Sequence, residues 1–139
     1  MKRQMKEKVT LEVAQEDANL FFTSLNLSEL KLSKMEDEKQ ALIELIQYGY
    51  VTIDEEGKLT YLMQNPLKNE SGTIVLDKLV FVNRKITVGE MEKNLTGKND
   101  IEKARKILAY LTKTNSQFFS KMDDDFVALG SISAFFLPR

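Results

Sequence analysis

Apolar residues recur at helical spacing most clearly in residues 100–113. On one side of this segment the apolar positions are three or four residues apart, while the other side carries Glu, Lys, Arg or Thr. The apolar positions are Ile101, Ala104, Ile107, Leu108 and Leu111. This pattern predicts an amphipathic helix with one face against a core. Its neighbours must cover that face, so we interpret the rest of the chain around this helix.

The spacing of apolar residues in positions 1–32 changes once, from alternation to helical spacing. Val9, Leu11 and Val13 alternate with polar residues, which predicts a short half-buried strand. Residues 16–25 return to helical spacing and begin with acidic side chains, as a helix dipole favours, so a short helix is expected there. Its apolar positions are Ala18, Phe21, Phe22 and Leu25. Residues 26–32 fit either an extended connector or a continuing helix.

A helix over residues 34–48 is predicted by its start and stop signals. Ser33 and Glu36 have the spacing of a capping box, and Gly49 stands where a left-handed terminating residue is needed. The apolar stripe between them comprises Met35, Leu42, Leu45 and Ile46.

Residues 50–63 predict a β-hairpin. Two β-rich runs flank an acidic turn whose glycine, Gly57, tolerates a positive φ. Pro66 is expected to end the second strand, and residues 68–72 form a polar turn. Residues 74–82 are again β-rich, but their alternation breaks at residues 77–78, which predicts either a bulge or two short strands.

The C-terminal part predicts further helices around the central one. Thr87 and Glu90 form a second capping box, opening a helix with Val88, Met91 and Leu95 on one side that would stop at Gly97. Asn99 or Asp100 would cap the central helix. Residues 115–122 suit one or two helical turns. A final helix follows, with three carboxylates at its start and an apolar stripe of Phe126, Leu129, Ile132 or Ser133, and Phe136.

The predicted fold class is α+β. A small antiparallel or mixed sheet, formed by the hairpin 50–63 and the strand 74–82, is packed by helices, and the C-terminal third is helical. The size of 139 residues suits a single domain, with a mixed N-terminal half (1–86) and a helical C-terminal half (87–139).

Composition excludes several classes of chemistry. The net charge of −1, with 29% charged residues, indicates mixed charges and no overall field for nucleic acid or an anionic membrane. The chain has no cysteine and no histidine, which excludes disulfides, thiolate chemistry and a Ser-His-Asp triad. Residues 1–10 lack the apolar run of a signal peptide, and no run is long enough to span a bilayer. A soluble, intracellular protein is expected from these features, and no cofactor site is indicated.

Two acidic clusters invite a metal hypothesis. Residues 54–56 lack the spacing of a calcium loop, so a solvated turn is the better interpretation. Residues 123–125 would point in different directions on a helix, whereas one N-cap and two first-turn acids would satisfy free helix amides. No metal site is therefore predicted.

An alternative function comes from the helix 34–48 followed by the hairpin 50–63. This order is typical of the recognition helix and wing of winged-helix DNA-binding regulators. Such a helix normally presents Arg or Lys to DNA. Here it offers Glu44, Gln47 and the single Lys39, and the hairpin tip is acidic, so nucleic acid is not the expected partner.

The C-terminal third is rich in large apolar side chains that could bind a protein partner. Adjacent residues on a helix point about 100° apart, so both members of each aromatic pair are hard to bury in so small a body. Methionine and phenylalanine also suit adaptable binding surfaces. The candidate partner-binding residues are Phe118, Phe119, Met122, Phe126, Phe135 and Phe136.

The order of motifs over residues 59–137 resembles the tail assembly chaperones of long-tailed bacteriophages. In that family a strand ending near a proline is followed by a strand of the type L-x-F-x-x-R, a threonine-led helix start, a helix ending in leucine-threonine, and a short helix containing aspartate-phenylalanine. The matching positions are Thr60-Tyr61-Leu62, Leu79 to Arg84, Thr87 to Met91, Leu111-Thr112 and Asp125-Phe126.

The resemblance implies a non-enzymatic protein that binds the long helical tape measure protein and helps the tail tube assemble around it. The tail tube protein is a further candidate partner, and an oligomer is compatible with the sequence. The working compartment implied is the host cytoplasm. Binding to an apolar helix in a groove would need no catalytic group.

Overall fold

The first third of the chain consists of three helices. The computed structural model describes residues 7–138. Arg139 lies outside the described residues, as do residues 1–6, which belong to the segment that argues against a signal peptide. Helix α1 spans Leu11–Ser24, α2 spans Glu29–Ser33 and α3 spans Glu36–Gln47. The ambiguous residues 26–32 thus lead into a short separate helix.

The strand predicted around Val9, Leu11 and Val13 is wrong, because α1 begins at Leu11. Thr10 caps the helix: its hydroxyl accepts the amide of Val13 at 3.2 Å. The side chains of Leu11 and Val13 remain largely exposed. The buried face of α1 starts at Ala14 and includes the residues predicted from helical spacing, Ala18, Phe21, Phe22 and Leu25.

Helix α3 forms as predicted, but without the capping box. The Ser33 hydroxyl donates to the carbonyl of Leu30, and the helix begins after Met35, which makes no side-chain cap. Met35, Leu42 and Ile46 are buried, together with Ile43, and Leu45 is half-buried. Gly49 adopts φ +83°, as its terminating position requires.

A three-stranded antiparallel sheet follows, in the order β1-β2-β3, and the α+β prediction is confirmed. Strand β1 spans Val51–Ile53, β2 spans Leu59–Lys68 and β3 spans Ile74–Val80. Pro66 therefore lies inside β2 and does not end it.

The pairing of β2 with β3 is irregular at two places, and the larger irregularity lies in β2, opposite the position expected from sequence. Leu62 pairs with Lys78 and Leu67 pairs with Leu76, so four residues of β2 stand opposite Asp77 alone. Proline lacks an amide hydrogen and is tolerated at such a bulge. The broken alternation at residues 77–78 lies opposite this bulge, whose extra residues belong to β2. A second shift follows it, since Lys68 pairs with Ile74, which leaves Val75 as an extra residue of β3.

Three helices and two 3-10 turns complete the chain. Helix α4 spans Val88–Asn94 with the predicted capping box, α5 spans Asp100–Thr112 with Asn99 as its cap, and α6 spans Asp124–Ser133. The 3-10 turns are Ser116–Lys121 and Ala134–Phe136. Two details of the predicted stripes are wrong, since Ile101 and Val88 are 64% and 59% exposed.

Helix α4 ends before the glycine expected to stop it. A Cβ at Gly97 would lie 2.8 Å from the amide nitrogen of Lys103, so this glycine allows the chain to pass closely against α5.

Buried side chains from both halves of the chain form one hydrophobic cluster. Its centre is aromatic. The Phe136 ring stacks on Phe81 at 5.3 Å and lies 5.6 Å from Phe21, and the Phe135 ring lies 5.1 Å from Phe22. Lys31 of α2 donates to the carbonyls of Phe135 and Leu137, and so attaches the C-terminal turn to the N-terminal helices.

Candidate functional site

A buried carboxylate joins α6 to the bulge of β2. Asp125 accepts the Tyr61 hydroxyl at 2.5 Å, the Gln64 amide at 2.7 Å and the Asn65 amide at 3.0 Å. These bonds satisfy two strand amides that the bulge removes from the ladder, and Pro66 has no amide hydrogen to satisfy. Residues 123–125 were expected to cap their own helix, but Asp123 makes no side-chain cap and Asp125 reaches across to the sheet.

The environment of Tyr61 fixes its protonation state. Burial, and then the hydrogen bond to Asp125, raise the pKa of Tyr61 far above its usual value. Because both partners are enclosed and their bonds are used within the fold, this pair serves as a structural cross-link.

A second carboxylate, that of Glu90, links α4 to α5 at the surface. Both nitrogens of the Arg84 fork donate to it, at 3.0 and 2.9 Å, and the Thr87 amide and the Tyr110 hydroxyl also donate. Hydrogen bonds from Arg84 and Tyr110 hold the pKa of Glu90 far below its usual range. The Arg84 guanidinium also lies 5.7 Å from the centre of the Tyr110 ring.

The acidic hairpin tip is an ordinary turn. Oδ1 of Asp54 accepts the amides of Glu56 and Lys58, both at 2.9 Å, and Gly57 adopts φ +85°. Within residues 7–138 no group of three carboxylates is arranged to hold a metal ion.

The predicted aromatic surface is divided between core and surface. Phe119, Phe135 and Phe136 are at most 2% exposed and belong to the core, so they offer no surface to a partner. The expectation that both members of a pair could not be buried fails for Phe135 and Phe136, because their turn is enclosed between α1 and Phe81. Phe118, Met122 and Phe126 are half-buried and remain candidates.

One apolar surface that the fold leaves open lies where α3 and α6 meet. A groove of about 310 Å³, here named the α3–α6 groove, is lined by residues of both helices. They are Ala41, Glu44 and Leu45 of α3, and Asp124, Val127, Ala128 and Ser131 of α6. Val127 is 71% exposed, the highest value among the large apolar side chains of the described residues.

Sequence reasoning missed this groove because it followed only the buried stripe of α6. Val127 and Ser131 are four residues apart and therefore share a face, which differs from that of Leu129 and Ile132. An exposed valine off the main stripe was the available signal. That α3 and α6 lie side by side is a tertiary fact, which local spacing does not contain.

A larger concavity, of about 660 Å³, lies between α5 and the segment after β3. It is lined by Lys58, Val82, Asn83, Arg84, Ala109, Tyr110 and Lys113. Two of its cations have structural explanations. Arg84 is paired with Glu90, and Lys113 follows α5, where a positive charge complements the helix dipole.

The charges are less evenly mixed than the net charge indicates. Residues 7–56 contain twelve acidic side chains and four lysines, whereas residues 57–121 contain twelve basic and six acidic side chains. The exposed residues of α3 include Glu36, Asp37 and Glu44, which gives this helix an acidic outer surface.

Comparisons with protein-family models, curated proteins and solved structures found no match to this chain. In the described part of the chain, no helix combines the length and the apolar character needed to cross a membrane. The features of this chain that bear on its function are the α3–α6 groove and the motifs of residues 59–137.

Proposed function

We propose that this protein is a non-enzymatic assembly chaperone of the kind used by long-tailed phages, which binds the tape measure protein and assists tail tube assembly. The observation that carries the proposal is the α3–α6 groove, where Val127 is 71% exposed beside half-buried Leu45. A groove of this kind suits the apolar side of a partner helix. The resemblance of the motif order in residues 59–137 to that family supports the tape measure protein as the partner.

The half-buried residues Phe118, Met122 and Phe126 are further candidates for partner contact, in the segment that precedes Val127 and at the start of α6. Met122 and Phe126 pack partly against the core, so they are held in place while part of each side chain stays accessible. Ordered apolar side chains lose less entropy on binding than mobile ones. The work proposed is holding a helical partner until the tube forms around it, in the cytoplasm of the host.

Co-expression with the tape measure protein of the same genome tests the proposal. The two proteins should co-purify, and Val127→Lys should abolish this while leaving the fold intact. Val88→Lys is the matched control, because Val88 is 59% exposed but lies on α4, outside the groove. Failure to co-purify under conditions where both proteins are folded would contradict the proposal.

A winged-helix DNA-binding regulator is the second candidate. The order of α1, α2 and α3 followed by the β1–β2 hairpin favours it, since three helices and a hairpin make up that type of domain. The exposed acids of α3 and the acidic tip at 54–56 oppose it, because a DNA-facing surface should neutralise phosphates. Salt-dependent binding to duplex DNA, lost on shortening the hairpin tip, would favour this candidate over the chaperone.

A further inference from the structure

We infer that the α3–α6 groove takes one helix of a partner protein, with an apolar stripe flanked by lysine or arginine side chains. This inference rests on the proposed function, since it specifies the surface and the chemistry by which the partner is held. Two observations support it: the apolar lining of the groove and the charge of the two helices.

The apolar lining fits a helix. Leu45 and Val127 are the large apolar side chains of the groove, and the remaining uncharged residues, Ala41, Ala128 and Ser131, are small. Small side chains let two helix axes approach closely, because the packing distance depends on the side chains at the contact. A helix seated here would cover Val127, the most exposed of these residues.

The charged residues of the groove favour a partner helix with basic residues on either side of its apolar stripe. Glu44 and Asp124 line the groove, one from each helix. Together α3 and α6 carry six carboxylates and one lysine, and that lysine, Lys39, is 3.4 Å from Glu36. A partner with basic residues beside its apolar stripe is attracted to this surface, whereas an acidic helix or a polyanion is repelled.

The inference is tested with two synthetic helical peptides and the full chain. Both peptides carry the same leucine and alanine stripe at i, i+3, i+4 and i+7, flanked by Lys and Arg in one and by Glu in the other. Fluorescence anisotropy should detect binding of the basic peptide only, and this binding should tighten at lower salt. Chemical-shift changes should centre on Ala41, Leu45 and Ala128.

Variants separate groove binding from general attraction. Val127→Lys should weaken binding of the basic peptide about tenfold or more, as expected for an anchor contact, while Val88→Lys should leave it unchanged. Glu44→Lys should weaken the basic peptide and strengthen the acidic one. Circular dichroism confirms that each variant is folded, and both valines are exposed enough to accept lysine.

Three outcomes would overturn the inference: no binding of either peptide, equal binding of both, or binding that Val127→Lys does not change. Self-association of the chain that Val127→Lys abolishes would also overturn it, because the groove would then be occupied by a second copy. If the tape measure protein co-purifies but the basic peptide does not bind, the chaperone proposal stands and the groove assignment fails. The reverse result retains the groove and rejects the chaperone proposal.

Discussion

The hydroxyl of Tyr61 donates a 2.5 Å hydrogen bond to Asp125, which lies 64 residues later in the chain. Both side chains are at most 1% exposed. The same carboxylate accepts two amides of the β2 bulge, so one side chain of α6 completes the hydrogen bonding of a strand. The contact therefore connects the helical C-terminal part to the sheet at the point where the ladder is interrupted.

Replacing Asp125 with Ala should lower the free energy of unfolding by about 3 kcal/mol, because three buried donors lose their acceptor. Tyr61→Phe should cost about 1 kcal/mol, since it removes one donor and leaves the carboxylate two others. Urea denaturation measures both. Asp123→Asn is the control and should change stability by less than about 0.5 kcal/mol, because Asp123 is exposed and makes no side-chain cap. A loss below about 1 kcal/mol for Asp125→Ala would contradict the cross-link.

The free energy of unfolding should decrease at alkaline pH because of Tyr61. Its pKa is raised in the folded state, so the folded protein keeps a proton that the unfolded chain loses above a pH of about 10. The stabilising contribution is therefore complete below that pH and declines as the pH rises further. Denaturation measured between neutral and alkaline pH should show a smaller decline in Tyr61→Phe. An identical slope in the two proteins would refute this explanation.

At acidic pH the protein should lose the contribution that Glu90 makes to its free energy of unfolding. Its pKa is lowered in the folded state, so the unfolded chain takes up a proton first, near the ordinary glutamate pKa of about 4.3. The contribution is present above that pH and is lost as the pH falls further. Glu90→Gln should therefore flatten the acid side of the stability curve. Glu92→Gln, at an exposed position on the same helix, should leave the curve unchanged.

Gly57 and Gly72 have the same φ but different surroundings, so substitutions at the two positions distinguish the cost of backbone strain from the cost of a steric clash. Gly57 and Gly72 both have φ +85°. A Cβ at Gly57 would lie 2.9 Å from the carbonyl oxygen of Leu20 and closer still to Ser24, whereas none of the surrounding atoms is within 4 Å at Gly72. Gly72→Ala should cost about 1 kcal/mol, from the left-handed conformation alone. Gly57→Ala should cost clearly more in thermal or urea denaturation, and equal costs would argue against the close contact of α1 with the hairpin.

The loss of stability on replacing an aromatic residue with Ala should depend on how deeply its ring is buried. Phe136→Ala removes a ring that contacts Phe21 and Phe81, and should destabilise the protein by about 3–5 kcal/mol. Phe118→Ala removes a half-buried ring and should cost clearly less. If Phe136→Ala instead kept its stability and lost only partner binding, the assignment of this ring to the core would be wrong.

Sequence periodicity predicted the helices whose apolar stripe is long. Leu108 and Leu111 lie on the buried side of α5, and Phe21 and Phe22 on that of α1, as their spacing indicates. Short patterns were less reliable. Three alternating residues before Ala14 predicted a strand, while Thr10, followed by acidic Glu12, was the cap signal that should have outweighed them.

The candidate site could be predicted only in part. The sequence indicated that both members of each aromatic pair are hard to bury, and Phe118 is indeed only half-buried beside buried Phe119, but it did not single out Val127. It could not indicate that Phe135 and Phe136 are enclosed, because the covering residues, Phe21 and Phe81, come from distant parts of the chain. The role of Asp125 was hidden for the same reason, since its partners lie on another element.

The β2 bulge has a consequence for synthesis on the ribosome. The amides of Gln64 and Asn65 are made about sixty residues before the carboxylate that accepts them. Until residue 125 has left the ribosome, this strand offers unpaired donors to any neighbouring chain with a free carbonyl. A nascent or C-terminally truncated form should therefore be prone to aggregate, and the strand gains its last hydrogen-bond acceptor only late in the synthesis of the chain.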